Sequence, residues 1–330
     1  MSAAKKWAMA LLVFALASGC SATSRGPWLG ANVKVSEDAP WGSKAAGQSL
    51  RNLADAGAQT GLLVAFLWQE TPASQTPVLG SDSSVERLRD AVRQTRAAGL
   101  RPILKLHVWV PGHWAGEIDP ADKAAWFAAY EKAILPLAAM AREERVEALV
   151  LGTELRRLQN APQWTTLATS VRKVYPGRLV YVADSIDQAE AFPYWSAFDV
   201  VGTSLYPALP SDLRERGNAM NDVAARLQAL SERQQRPAWV AELGLRSASG
   251  SLGAPWESPE QRTANVDLAL QARVLGEWKQ VLARHGVVGI GIWCWYTDPA
   301  AGGASDSDFT VQNKPAQAVF RAGFAPQRSP

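Results

Sequence analysis

Eight short apolar runs recur along the chain, each bounded by glycine, proline or polar residues and separated from the next by a segment of helical periodicity. They read "GANVKV" from Gly30, "GLLVAFLW" from Gly61, "PILKLHVWV" from Pro102, "EALVLGTEL" from Glu147, "RLVYVADS" from Arg178, "DVVGTSLY" from Asp199, "PAWVAELG" from Pro237 and "VVGIGIWCWY" from Val287. Runs of this length between turn formers are strands, and strands that alternate with helices build a parallel sheet covered by helices. Helix starts are marked by Ser83 with Glu86 three residues on, and by "SPEQ", where Ser258 caps, Pro259 fits the first turn and Gln261 completes a capping box. The last major helix is predicted to carry Val266, Leu270, Val274, Trp278 and Val281 on one face and to stop at His285 and Gly286. Eight such units without repeats or an evident linker predict an α/β fold, a single (β/α)8 TIM barrel over residues 30–330, with two doubly wound domains as the alternative. In a barrel the C-terminal ends of the strands share one face, where chemistry is expected.

The leader stands outside this pattern. Lys5 and Lys6 precede the apolar run Trp7 to Ala17, the layout of a secretory signal, and the run is shorter than the ~20 apolar residues that span a bilayer. "LASGC" resembles the lipobox of bacterial lipoproteins, which implies a signal over residues 1–19, lipidation of Cys20 and a short tether over residues 20–29. An ordinary secretory signal, giving a periplasmic or secreted protein, is the alternative. Ser21 resembles the sorting residue of lipoproteins sent to the outer membrane, so a domain held at the cell envelope by an acyl anchor is expected. Cys294 is the only other cysteine, so an acylated chain has no disulfide and depends on a packed core. Two of the 34 basic residues lie in the leader and 31 residues are acidic, so the domain is close to electroneutral, which argues against nucleic acid as a partner. The 14 tryptophans suit a core and also suit stacking on flat, uncharged ligands such as sugars.

Two runs end in a carboxylate. Glu242 follows Trp239, Val240 and Ala241, and Glu154 closes the stretch begun by Ala148, Leu149, Val150 and Leu151. An ionised group beside a core costs several kcal/mol or so unless it is paired or used. As residues ending the fourth and seventh strands, the two glutamates fall on one face of a barrel. Strict alternation gives Glu242 the direction of Val240 and Ala238, and Glu154 that of Gly152 and Val150. Two carboxyl groups across a barrel mouth are what retaining glycoside hydrolysis requires, one to protonate the leaving oxygen and one to attack the anomeric carbon. The competing reading is an ion pair of Glu154 with Arg156, Arg157 or Arg246.

"GTEL", "FDVVGTSLYPAL", "WVAELGLRSASG" and the ending "GIWCWYTDP" with "DSDFTVQNKPA", in this order and at strand ends, resemble glycoside hydrolase family 113, whose described members are β-1,4-mannanases. The resemblance covers the whole barrel and implies Glu154 as acid/base and Glu242 as nucleophile. It places Thr153 where the wider clan more often has an asparagine that contacts the sugar 2-hydroxyl, and Tyr206 where a tyrosine or histidine bonds the nucleophile. It makes Trp295 the platform beneath the reacting sugar, with Trp293 assigned to the core.

Trp68 and Trp109 end their strands near the mouth and are candidates for sugar subsites or for core packing, and His107 is a candidate for the pocket lining. His113 lies beyond it, and Asp306 and Asp308 read as a solvated loop. No metal is expected, since histidines and acids at ligand spacing are missing, and no cofactor, since neither a P-loop nor a dinucleotide fingerprint is present. The expected protein is a monomeric hydrolase of a β-linked polysaccharide, mannan first and a self-made exopolysaccharide or hexosaminide polymer as the alternative. A barrel that binds carbohydrate without turnover is the competing class.

Overall fold

The computed structural model describes residues 26–321 and 323–325. The leader and Cys20 lie outside the described residues. Eight parallel strands form the barrel: β1 (Trp28–Lys34), β2 (Thr60–Trp68), β3 (Arg101–Trp109), β4 (Ala148–Thr153), β5 (Arg178–Ala183), β6 (Val200–Leu205), β7 (Ala238–Gly244) and β8 (Gly289–Tyr296). Each pairs with the next, and β1 pairs with both β2 and β8, so the sheet closes. Closure excludes the doubly wound arrangement, whose sheet has two free edges. A two-residue strand, Val78–Leu79, adds antiparallel to the end of β2.

Helices α1 (Lys44–Asp55), α2 (Val85–Ala97), α3 (Lys123–Glu143), α4 (Gln163–Val174), α5 (Ile186–Ala191), α6 (Leu213–Gln234) and α7 (Leu268–Arg284) follow β1 to β7, and a 3-10 turn at Pro315–Phe320 follows β8. Two start signals fall differently from the sequence expectation. Ser84, not Ser83, caps α2, because the Ser83 hydroxyl instead accepts the Phe66 N–H at the end of β2. "SPEQ" closes as a turn, with the Ser258 N–H donating to Gln261, but α7 begins only at Leu268, capped by Asp267. Val266 consequently lies in a bridge with Ala248, while Leu270, Val274, Trp278 and Val281 do form the buried face.

The core has two layers. A large cluster fills the space between sheet and helices, and a smaller one inside the barrel gathers Trp28, Leu62, Ile103, Ala148, Val150, Val180, Val182, Val200, Trp239 and Ala241. Trp28 and Trp239 meet edge to face at 5.0 Å near the strand starts and close that end. Gly289 makes this possible, since a Cβ there would fall 2.5 Å from the Trp28 ring.

Toward the C-terminal ends the pairing slips. Register shifts occur in β4 between Val150 and Gly152, in β7 where Thr203 and Ser204 face Val240 and Glu242, and in β8 where Asn32 and Val33 face Trp293 and Trp295. Each leaves one residue unopposed and resets which side chains point inward. Strict alternation therefore fails at both glutamates. Val150 is in the inner cluster while Gly152 backs onto Trp164 of the helical layer, and Ala241 is inner while Val240 is outer.

Candidate active site

Glu242 follows the bulge in β7 and turns into the barrel mouth with only 4% of its surface exposed. Its Oε1 accepts from the Tyr206 hydroxyl at 2.8 Å, and its Oε2 pairs with the Lys105 ammonium. Lys105, fully buried on β3, also donates to Asn32 Oδ1 at 2.9 Å. Asn32 in turn donates to the Ala241 and Gly291 carbonyls at 3.0 and 3.2 Å, so a chain of bonds fixes the lysine to β1, β7 and β8. Tyr206 reaches Glu242 across Gly244, where a Cβ would meet the tyrosine ring at 2.7 Å and its hydroxyl at 2.9 Å. Burial alone would raise the Glu242 carboxyl, but Lys105 and the bonds from Lys105 and Tyr206 hold it below the ordinary value.

Glu154 lies just beyond β4 in the left-handed region, at φ 59°. Its N–H donates to the Val182 carbonyl and its own carbonyl accepts from the Arg156 N–H, both at 2.8 Å. Its Oε2 accepts from the Trp114 indole N–H at 2.8 Å. Burial, and next the negative charge of Glu242, push its carboxyl up to about 7, against the smaller opposing effects of Ser204, Trp114 and Lys105. The arginines offered as ion-pair partners go elsewhere. Arg156 binds Asp184 at 2.6 Å, Arg157 approaches Asp119 at 3.5 Å, and Arg246 donates to the Ser307, Ser258 and Arg262 carbonyls. Below neutrality the two glutamates are thus in opposite protonation states, an acid and a carboxylate at one mouth.

His107 also faces the mouth, stacked on Trp293 at 6.3 Å, and burial and then Lys105 push its imidazole down to about 4, leaving it neutral. Its Nδ1 has no protein partner. Trp68 and Trp109, 41% and 43% exposed, meet at 6.0 Å with an interplanar angle of 60°, so both are surface aromatics and not core.

Two assignments need correction. Trp295 is 1% exposed, donates its indole N–H to Ser49 of α1 at 2.8 Å and packs on Phe320, in the layer between sheet and helices. The bulge at Cys294 turns it outward, and Trp293 is the tryptophan at the mouth, 5.3 Å and 5.1 Å from the Lys34 and Lys105 ammonium groups. Thr153 is buried with its hydroxyl donating to the Leu106 carbonyl at 3.0 Å, so that hydroxyl ties β4 to β3 instead of reaching toward a sugar. His113 pairs with Glu117 at 2.8 Å, and Asp306 accepts from Lys314 at 3.1 Å. Among the described residues no cluster of three histidine, cysteine or acidic side chains is placed to hold a metal.

Lys105, Asn32 and Trp114 were not singled out from sequence, and Trp293 was assigned to the core. Lys105 carried a signal, a cation in the middle of "PILKLHVWV", because a buried ammonium requires an acidic partner. Trp114 carried none beyond its residue type.

The model of Glycoside Hydrolase Family 113 matches residues 33–314, most of the chain and the C-terminal ends of all eight strands. The chain belongs to glycoside hydrolase family 113. Among solved structures, a complex of a GH113 β-1,4-mannanase is similar at 24% identity and a TM-score of 0.79, covering 90% of this chain and 98% of that one. The GH113 β-mannanase AaManA from Alicyclobacillus acidocaldarius is similar at 22% identity and a TM-score of 0.77, covering 91% and 97%. A family 5 mannosidase from Rhizomucor miehei shares the fold at 11% identity and a TM-score of 0.61, over 89% and 92%. No curated protein matches the sequence. Family 113 membership makes the chain a glycoside hydrolase and leaves the polysaccharide to be argued.

Proposed function

We propose that this family 113 protein is a retaining endo-acting hydrolase of β-1,4-mannan or a closely related β-hexoside, tethered to the bacterial cell envelope through Cys20. The observation that carries the chemistry is the opposed state of the two glutamates: Glu154 raised to about 7 by burial and the Glu242 charge, and Glu242 held ionised against Lys105 and Tyr206. Glu242 attacks the anomeric carbon as Glu154 gives its proton to the glycosidic oxygen, and a covalent glycosyl ester on Glu242 results. Glu154, now a carboxylate, takes a proton from water, which attacks the same carbon and releases a product of retained configuration.

Trp293 supplies the flat surface under the reacting sugar, His107 a neutral hydrogen-bonding edge, and Trp68 with Trp109 a more distant pair of sugar contacts on the same face. Mannan is favoured because the similar family 113 structures are described as β-1,4-mannanases. The test uses the soluble domain from residue 21 onward with β-mannan, β-glucan, β-galactan and a deacetylated hexosaminide polymer, following the first product by proton NMR. Release of β-configured manno-oligosaccharides is expected. An α-configured first product overturns retention, and tight binding with no hydrolysis of any polymer favours a carbohydrate-binding role.

A further inference from the structure

Trp114 lies in the loop between β3 and α3, 37% exposed at the mouth, where an aromatic ring would ordinarily be read as a sugar platform. Its surroundings suggest a different task. The backbone of Gly116 lies flat against the ring, so that a Cβ there would fall 2.3–2.5 Å from the six-membered ring carbons. The Arg156 guanidinium stands 4.8 Å from the ring centroid and is itself held by Asp184 at 2.6 Å, whose side chain is almost fully buried. Held in this way, the indole directs its N–H to Glu154 Oε2 at 2.8 Å.

We propose that Trp114 is the positioning residue of the acid/base, fixing which oxygen of Glu154 carries the proton and stabilising the carboxylate left when that proton departs. The inference rests on the assignment of Glu154 as acid/base. An indole N–H only donates, so Oε2 accepts in both protonation states; the carbonyl oxygen of a carboxylic acid is the better acceptor, which favours the proton on Oε1. In the glycosylation step the Oε1 proton moves to the glycosidic oxygen, the electron pair of the breaking C–O bond goes to that oxygen, and negative charge develops on the Glu154 carboxylate. The bond from Trp114 becomes charge-assisted at that moment and is stronger in the transition state than before it.

The groups that bear on Glu154 are the Glu242 carboxylate on β7, which raises it, Lys105 on β3 and Ser204 on β6, which lower it, and the neutral phenols of Tyr206 and Tyr181. Arg156 stands behind the Trp114 ring. Trp114→Phe alters none of these and removes only the donor.

With Trp114→Phe, kcat on polysaccharide should fall about ten- to a hundredfold, the range of a lost hydrogen bond to a charged group, while an activated aryl glycoside loses little. The alkaline limb of the pH profile should move to higher pH, because the carboxylate has lost a donor. Gly116→Ala keeps the indole but forces the ring away, and should reproduce both effects. Carboxyl titration of carbon-13-labelled glutamate in wild type and both variants reads the same contact without turnover. A raised KM with an unmoved limb would make Trp114 a sugar platform, and an equal loss on both substrates with an unmoved limb would make it a loop support; either overturns the proposal. If the wild type hydrolyses nothing, the hydrolase reading fails, and the carboxyl titration still decides: a Glu154 midpoint unchanged by Trp114→Phe sinks the positioning role, and an upward shift sustains it.

Discussion

A side chain with a Cβ resists the left-handed backbone region by about 1–2 kcal/mol, and Glu154 occupies it at φ 59°. The two backbone bonds to Val182 and Arg156 hold it there and set the angle at which its carboxyl enters the mouth. Glu154→Gly should therefore be better tolerated by the fold than Glu154→Ala, which a pair of urea titrations will compare. Both remove the proposed proton donor, so both should lose most of their activity on polysaccharide, little on an activated aryl glycoside, and yield a β-glycosyl azide when azide is added. Glu242→Gln should be inactive on every substrate. Stability follows a different sign. The folded-state value of about 7 lies above the ordinary carboxylate value of 4.5, so the fold favours protonated Glu154. No stability is lost below the ordinary value, and it is lost progressively as pH rises through about 7. Glu154→Gln, neutral throughout, should gain on the order of 3 kcal/mol over wild type at pH 8 and almost nothing at pH 4, as read by thermal unfolding at the two pH values. Lys105 acts on the other limb. Lys105→Met leaves Glu242 buried without its cation, so the acidic limb of the activity profile should move to higher pH, and an unmoved limb would mean that Tyr206 alone holds the proposed nucleophile ionised.

At the scale of the strand, the three slips in β4, β7 and β8 decide which side chains reach the mouth. The eight strands and most of the helices were legible, because apolar runs of strand length and helical spacing are properties of the segment itself. A bulge is a property of a pair of strands, set by how neighbours register, and no residue in "IWCWY" announces that Cys294 will be left unopposed. That is why the strand-end placement of both glutamates was legible while the side chains expected to share their directions were not, and why Trp293, not Trp295, lies at the mouth. It also explains Thr153, whose position before Glu154 was legible but whose hydroxyl direction was not. The two tryptophans offer a direct check. Trp293→Ala should raise KM on oligosaccharides with the unfolding midpoint nearly unchanged, whereas Trp295→Ala should cost about 3–5 kcal/mol of stability and leave KM alone. The opposite pattern would restore the first assignment.

Across the molecule the two ends of the barrel divide their work. Trp28 and Trp239 seal the end where the strands begin, and the exposed tryptophans Trp68, Trp109 and Trp114 belong to the end where they finish. Among the described residues no helix is long and apolar enough to cross a membrane. Attachment through an acyl group on Cys20 is part of the proposal. Expression in a bacterial host with labelled palmitate should label the wild type and leave Cys20→Ser unlabelled, and an unlabelled wild type would leave only a secreted form. The sealed end would also give the proposed anchor a geometry. Trp28 opens β1, and Cys20 precedes it by so few positions that even a fully extended link reaches only about 25–30 Å. A leash that short, fastened beneath the tryptophan seal, would stand the domain on its closed base with the catalytic opening turned away from the lipid. Such a molecule would graze on polymer passing outside the bilayer and could not reach glycans lying flat on the membrane that holds it.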